Sequence, residues 1–213
     1  MNRKITFTLI FLFLLAVAES LAQKHPQLQY ISLEAGLNMS GIRSAGHYDN
    51  HAKNLGTRVS FSAGYSFCDF KSLGASLSFD QKGASDPIHR IVTNLNYLTI
   101  PVYFRLATGK DPKLFIAAGG YFSNLISASR KGEVLVEGNT IPVNNRITSE
   151  FNRFDAGVTA NGGMILRLYD DFDFMISAGI SSGLMRIEDI PESRPKNYRL
   201  NISAGYIYYI GFR

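Results

Sequence analysis

The chain has 213 residues, of which 46% are apolar and 18% are charged. This is enough for one folded domain, and no charge block or low-complexity run indicates disorder. The net charge of +5 does not predict a nucleic-acid partner, because the basic residues are scattered and form no basic helix. A single cysteine, Cys68, excludes an intramolecular disulfide framework.

The N-terminus has the features of a secretory signal peptide. Basic residues precede an apolar run over 5–18, and a small-x-small cleavage signal ends at Ala22. A retained membrane anchor is the alternative, but the run is shorter than the about 20 residues that a spanning helix needs. We therefore expect 1–22 to be a signal peptide and 23–213 to be the mature domain. Because position 23 is not Cys, the chain is not a lipoprotein.

The first predicted elements of the mature chain are strands over 30–39, 58–68 and 72–82. In each, Leu, Ile, Val, Ala or Phe alternates with Ser, Gly, Asn or a single charge. A period of two held over so many residues predicts β-strands with one apolar and one polar face.

The fourth segment, 96–106, also alternates and carries Pro101 in its middle. Because proline removes a ladder hydrogen bond, we expect a local bulge there. The fifth segment, 113–127, has apolar residues on both faces, so its phase stays open.

A hairpin is predicted beyond the fifth segment, over 131–145. Two apolar triplets flank the turn sequence EGNT, so the fifth and sixth strands are expected to continue as a protruding ribbon. Its unpaired edges are available to add a strand to a partner, although an ordinary hairpin has the same pattern.

The last three segments are 153–168, 173–182 and 197–213, which makes eight strands. Tight connections (CDFKS, ATGKDPK and YDD) alternate with long polar ones. Short turns at one rim and long loops at the other are typical of an up-and-down barrel in an outer membrane. An even number of strands then places both termini in the periplasm and the long loops outside.

The composition of the polar face distinguishes a membrane barrel from a soluble one. A water-exposed face needs Lys, Glu, Thr and Arg, whereas this face is mostly Gly, Ser, Asn and Thr, which suit a cramped lumen. The other face is apolar with aromatic residues toward the strand ends, as lipid requires. We therefore expect Leu77→Arg or Val158→Arg to be costly, and Gly157→Ser or Ser177→Ala on the interior face to be tolerated better.

The terminal strand must pair with the first strand to close the barrel, because lipid leaves no solvent for unpaired backbone groups. It also resembles the signal by which outer-membrane assembly machinery recognises its clients, with Tyr208, Ile210 and Phe212 as the matching residues. Arg213 departs from the usual terminal aromatic residue.

The chain also resembles the outer-membrane β-barrel family of Bacteroidetes often labelled porin family or PorT-like. The resemblance covers most of the mature chain and is carried by GLNMSG (36–41), YLTIPVYFR (97–105), LFIAAGGYFSNLISA (114–128) and FDAGVTANGGMIL (154–166). It implies an eight-stranded outer-membrane domain of a Gram-negative bacterium, and it carries over no catalytic residue.

Charged residues on the polar face must pair inside the lumen, because a lone buried ion costs several kcal/mol. Strand direction places three toward the periplasmic half and four toward the outer half. The three are Glu34, Arg105 and Arg167; the four are Asp80, Lys82, Asp155 and Arg199. We interpret them as an ion-pair plug; a proton or ion path is the alternative.

The polar loops contain candidate ligands and catalytic groups. His47, Asp49 and His51 have metal-ligand types at alternate positions, but a fourth ligand is not evident and a solvated loop is favoured. The same residues, together with Ser44 or with Asp86 and His89, are the basis for an alternative hypothesis of a loop-borne hydrolytic site.

The sequence thus predicts an all-β fold, an eight-stranded antiparallel up-and-down transmembrane barrel with short periplasmic turns and long extracellular loops. The expected protein is a monomer with a structural or surface-interaction role, without enzyme activity, cofactor or metal. Its expected partners are outer-membrane lipid, the barrel assembly machinery and a protein outside the membrane or in the periplasm. The alternative functions are a small-solute porin and a barrel enzyme.

Overall fold

A computed structural model describes residues 28–43, 52–68, 70–86, 91–136, 139–187 and 196–210. The predicted signal peptide, the last three residues and parts of the predicted long connections lie outside these ranges. The described part contains nine strands and one short 3-10 turn, Thr148–Glu150. The strands are β1 (Leu28–Arg43), β2 (Ala52–Cys68), β3 (Lys71–Asp86), β4 (Ile91–Thr108), β5 (Lys113–Val136), β6 (Asn139–Arg146), β7 (Phe154–Tyr169), β8 (Phe172–Gly183) and β9 (Lys196–Ile210).

Eight of these strands close into an antiparallel barrel. Each of β1 to β4 pairs with the next strand, β5 pairs with β7, and β7, β8 and β9 follow in order. The circle is completed by β1 and β9, which pair from Gln29↔Ile210 to Arg43↔Lys196. The predicted eight-stranded up-and-down barrel is confirmed, and the terminal strand closes it. Among the described residues, no helix is long and apolar enough to cross a membrane.

The apolar face of every barrel strand points outward. Leu33, Ile116 and Ile202 are between 58% and 66% exposed, while Ser32 and Ser203 are buried. The open phase of the fifth strand is settled by burial, which places Phe115 inside and Ile116 outside. A continuous apolar exterior of this kind suits lipid rather than water.

The barrel has two ends that differ in their connections. We call the end where β2 meets β3, β4 meets β5 and β7 meets β8 the short-connection end, and the opposite end the long-connection end. Toward the long-connection end, the strands are longer than the sequence predicted. Residues 83–86 of β3 and 91–94 of β4, which were expected to lie in a loop, are paired from Gly83↔Asn94 to Asp86↔Ile91.

The predicted ribbon over 131–145 is present, with one difference. Strand β5 runs for 24 residues and pairs with β6 from Ser129↔Arg146 to Val136↔Asn139. The sixth barrel strand does not continue into the ribbon; β6 is a separate strand, joined to β7 through the 3-10 turn.

The bulge expected at Pro101 is absent. The pairing of β3 with β4 has the same register at Ala75↔Val102 and Ser78↔Thr99, on either side of the proline. The irregularity lies earlier, where Asn96 and Tyr97 face β5. The barrel therefore accommodates the proline by leaving two consecutive ladder positions unpaired, Ser76 with Pro101 and Leu77 with Ile100, rather than by inserting a residue.

The interior has an apolar cluster at each end and a polar layer between them. The cluster at the short-connection end consists of Tyr30, Tyr103, Phe115, Ala117, Ile165, Met175, Ile207 and Tyr209. The cluster at the long-connection end consists of Leu95, Tyr97, Leu125, Ala128, Ile147, Phe151 and Ile187. The polar layer thus lies between two apolar clusters.

Candidate functional site

Four large aromatic rings point into the barrel, each directly across from a glycine of the neighbouring strand. A Cβ atom at any of these glycines would lie within 3.0 Å of the ring. Glycine on the polar face therefore leaves the space that the rings fill, which is the usual reason for glycine inside a small barrel. The pairs are Tyr30 with Gly64, Tyr103 with Gly74, Phe115 with Gly163, and Tyr121 with Gly157.

One centre of the polar layer is the fully buried carboxylate of Asp80. Its Oδ2 lies 2.6 Å from Nη1 of Arg199, and its Oδ1 lies 3.8 Å from Nη1 of Arg58. Both contacts are ion pairs. Both guanidinium groups also donate to serine hydroxyls, Arg58 to Ser78 at 3.3 Å and Arg199 to Ser181 at 3.0 Å.

The second centre is Asp155, which is also fully buried. Its Oδ2 accepts hydrogen bonds from the ammonium group of Lys82 at 3.2 Å, from the Tyr121 hydroxyl at 3.3 Å and from the Asn197 amide at 3.0 Å. The Lys82 ammonium also lies 4.6 Å from the ring centre of Tyr97 and 4.9 Å from that of Tyr121. The lysine is thus held by one carboxylate and two aromatic faces.

Arg105 lies nearer the short-connection end and is held differently. Its guanidinium carbon lies 5.1, 5.5 and 4.9 Å from the ring centres of Tyr30, Tyr103 and Phe115. Glu34 lines the same cavity and accepts a hydrogen bond from Ser203 at 3.2 Å. Three ring faces therefore stabilise this cation where no carboxylate of the described residues lies within ion-pair distance.

A small cavity separates Arg105 from the two carboxylate centres. It has a volume of about 30 Å³, and Glu34, Arg58, Arg105 and Arg199 contribute to its wall. This volume is enough for one or two water molecules beside the buried charges.

The structure brings together four of the seven predicted interior charges: Asp80 with Arg199 and Lys82 with Asp155. Glu34 and Arg105 share the cavity in the half nearer the short connections, as strand direction suggested. The expectation for Arg167 is wrong, because this residue is exposed beside the turn that joins β7 to β8. The alternation is lost there at a register shift between Arg167 and Tyr169.

Sequence reasoning missed Arg58, Tyr97, Tyr121 and Asn197. Arg58 is in phase with Ser60 and Ser62, so extending the alternation by one step would have placed it inside. Asp173 was missed as well and is buried. The role of the tyrosines had no sequence signal, because it depends on side chains from other strands meeting across the lumen.

The loop candidates lie outside the described residues. This holds for Ser44, His47, Asp49, His51 and His89, and for the side chain of Asp86. Within the described ranges, no group of three His, Cys, Asp or Glu side chains is placed to hold a metal ion.

Two of the three candidate assembly residues lie on the outside of β9. Tyr208 and Ile210 are 45% and 47% exposed on its outward face, while Tyr209 between them is buried. Phe212 lies beyond the last described residue. The described part of the terminal strand thus has the amphipathic pattern that was expected.

Known proteins similar to this chain are outer-membrane barrels. The sequence matches the family model of the outer membrane protein beta-barrel domain over residues 21–189. A comparison with curated proteins finds no match. Among solved structures, Neisserial surface protein A is 11% identical, with a TM-score of 0.51 over 84% of this chain and 96% of that chain.

Two further solved structures are similar at lower TM-scores. Ail, the attachment invasion locus protein of Yersinia pestis, is 14% identical, with a TM-score of 0.44 over 84% of this chain and 98% of that chain. The N-terminal beta-barrel domain of Pseudomonas aeruginosa OprF is 12% identical, with a TM-score of 0.42 over 84% of this chain and 97% of that chain. At such identities only the fold is shared.

Proposed function

The chain belongs to the outer membrane protein beta-barrel domain family, and from this premise we propose that it is a monomeric barrel with a filled lumen and a surface-interaction role. The observation that carries the proposal is the pair of ion-paired centres, Asp80 and Asp155, buried between two apolar clusters. These side chains come from strands on different sides of the barrel, and they occupy the space that a pore would need.

A filled lumen makes a direct prediction for transport. Lipid vesicles containing the protein should not swell in small sugars faster than vesicles without it, because the proposed packing of the lumen leaves no continuous path for a sugar. A known porin serves as the positive control. Sugar-dependent swelling would favour the small-solute porin and overturn the filled lumen.

The surface role rests on the ribbon formed by β5 and β6. This ribbon extends past the point where β7 joins the barrel, and the second edge of β6 is paired with no described strand. An extended hairpin whose second edge is unpaired among the described strands is suited to contact a protein partner. We include no catalytic step in the proposal.

Orientation decides whether the ribbon faces the outside or the periplasm. We propose that the long-connection end is extracellular and that both termini of the mature chain lie in the periplasm. A cysteine placed at Gly138, in a Cys68→Ser background, should react with a membrane-impermeant label in intact cells, whereas one at Lys110 should not. Labelling at Lys110 alone would reverse the orientation.

We propose three further properties of the chain together with this function. They are cleavage before Gln23, an origin among the porin-family barrels of Bacteroidetes, and recognition of the terminal strand by the assembly machinery. The N-terminal signal pattern and the four quoted motifs support the first two. The mass of the intact protein purified from membranes tests the cleavage, since retention of residues 1–22 would give a larger mass.

A further inference from the structure

The wall of the barrel has a junction at which β5 changes partner. Strand β5 pairs with β7 as far as Asn124↔Phe154 and with β6 only from Ser129↔Arg146. The segment 147–153, which includes the 3-10 turn, fills the gap between these two pairings. The junction therefore marks the boundary between the barrel wall and the ribbon.

Backbone hydrogen bonds hold this segment against β5. The amide of Leu125 donates to the carbonyl of Arg153 at 2.7 Å, and the amide of Ile147 donates to the carbonyl of Ala128 at 3.0 Å. The Thr148 hydroxyl accepts from the amide of Ala128 at 3.0 Å. On the inner side Ile147 and Phe151 belong to the buried apolar cluster. The position of the segment is thus fixed from both sides.

A pocket of about 470 Å³ opens at the junction, which we call the junction pocket. Two arginines, Arg146 and Arg153, are exposed in its wall. Neither forms an ion pair with any described residue, whereas Arg130 nearby pairs with Glu150 at 3.6 Å. Two guanidinium groups without a carboxylate partner favour an anionic ligand, because guanidinium matches phosphate with paired hydrogen bonds. The wall consists of Leu125, Ile126, Arg146, Thr148, Ser149 and Arg153.

The lower side of the junction pocket is apolar and continues onto the lipid-facing surface. Ile126 is 49% exposed there. Phe122 and Phe154 follow toward the middle of the barrel, with rings stacked at 5.5 Å. Basic groups directly above an exposed apolar and aromatic surface match the boundary between lipid headgroups and acyl chains.

We propose that the junction pocket binds the phosphate-bearing headgroup of a lipid from the surrounding membrane. Arg146 and Arg153 face the phosphate, and the Ser149 hydroxyl donates a further hydrogen bond. An acyl chain lies over Ile126 and the stacked rings of Phe122 and Phe154. A lipid accounts for both halves of the pocket, whereas a soluble anion would leave the apolar half without a partner.

The proposal is tested by measuring which lipid stays bound. The full mature protein is placed in phosphatidylcholine nanodiscs containing lipid A that carries its phosphates or lipid A from which they have been removed. Retained lipid is counted by native mass spectrometry after release into detergent. Wild-type protein should retain the phosphorylated form, and Arg146→Gln/Arg153→Gln should retain about tenfold less of it.

Lys131→Gln is the matched control, because Lys131 is an exposed cation of the same ribbon that pairs with Asn144 outside the junction pocket. This variant should retain lipid as the wild type does. All three proteins must show the same heat-modifiable mobility, which establishes folding. Equal loss in the control and the double variant would mean general charge attraction and would overturn the site.

Two other outcomes would also overturn the assignment: equal retention of lipid A without phosphates, and displacement of the lipid by inorganic phosphate in solution. The second outcome would indicate a soluble anion as the ligand. The lipid measurement does not depend on the proposed function. Vesicle swelling tests the filled lumen, and labelling at Gly138 tests the orientation of the ribbon, and neither experiment involves lipid binding. Failure of one proposal is therefore distinguishable from failure of the other.

Discussion

Tyr121 lies directly across from Gly157, and its ring occupies the space that any side chain at position 157 would need. A Cβ atom there would lie 2.7 Å from the ring and would also collide with the carbonyl oxygen of Ser182. The sequence-based expectation that Gly157→Ser is tolerated is therefore not supported by the structure. Gly157→Ala should destabilise the barrel by about 1 to 3 kcal/mol, the usual cost of overpacking.

Gly120→Ala is the matched control for this prediction. Gly120 faces outward on β5, and its nearest neighbour to an added Cβ is the carbonyl oxygen of Gly157 at 3.6 Å, an ordinary contact. Unfolding by urea in lipid vesicles should show a clear loss for Gly157→Ala and little change for Gly120→Ala. Equal losses would mean that Tyr121 does not fill the lumen as described.

The pair of Lys82 and Asp155 should show strong coupling. Lys82→Met leaves a buried carboxylate without its counter-ion and should cost about 3 to 5 kcal/mol of unfolding free energy. Lys82→Met/Asp155→Asn should cost less than the sum of the two single changes, because no uncompensated charge remains. A double-mutant cycle by urea unfolding measures the coupling.

The exposed pair of Arg130 and Glu150 provides the comparison. Its side chains are 38% and 53% exposed, so Glu150→Gln should change stability by less than about 1 kcal/mol. A Lys82 effect no larger than this would show that the interior pair is solvated and that the lumen is not filled.

Charge on the outer face should be costly in a depth-dependent way. Leu77→Arg and Val158→Arg place a cation on exposed apolar surface near the middle of the barrel wall and should cost about 2 to 4 kcal/mol in lipid. Leu168→Arg, on the same face of β7 near the short-connection end, should cost about 0 to 1 kcal/mol because the cation reaches the interface. Folding titrations in vesicles that gave one common value would contradict the lipid-facing assignment.

Pro142 should limit association through the free edge of β6. Proline has no amide hydrogen, so its pairing with Glu133 is compatible with a ladder only if its nitrogen faces away from β5. The free edge then lacks a donor in its middle, which is a known device against edge pairing. Pro142→Thr should increase self-association in detergent, measured by light scattering, whereas Asn144→Thr should not. If Pro142→Thr leaves self-association unchanged, the proline is not what prevents pairing at this edge.

Phe212 should matter more for assembly in cells than for stability. If it belongs to the recognition signal, Phe212→Ala should lower the amount of assembled barrel in outer membranes while refolded protein unfolds almost as the wild type does. Tyr206→Ala is the opposite case, because Tyr206 packs on Phe172 at 5.1 Å and on Phe174 at 5.4 Å. Tyr206→Ala should lower the unfolding free energy in vesicles. If both variants changed assembly in cells and stability in vesicles to the same extent, Phe212 would have no special role in assembly.

The alternation of residues predicted most of the barrel because it reflects a local property. Successive side chains of a strand point to opposite faces, so one face of β1 or β9 can be identified without knowing what it contacts. The phase of β5 was the exception, because Leu114 and Phe115 are both apolar. Burial separated them: Phe115 packs across from Gly163, and Leu114 is 55% exposed.

The sequence by itself determined the eight barrel strands, the outward and inward faces of all of them except β5, and the presence of a ribbon, since each follows from periodicity and from where polar residues interrupt it. Only the tertiary structure decided which charges meet, because Lys82 and Asp155 are 73 positions apart and are joined across the lumen. The same holds for the aromatic faces around Arg105, the exposed position of Arg167 and the junction pocket. These depend on register and on distances between strands, which a pattern along one strand does not contain.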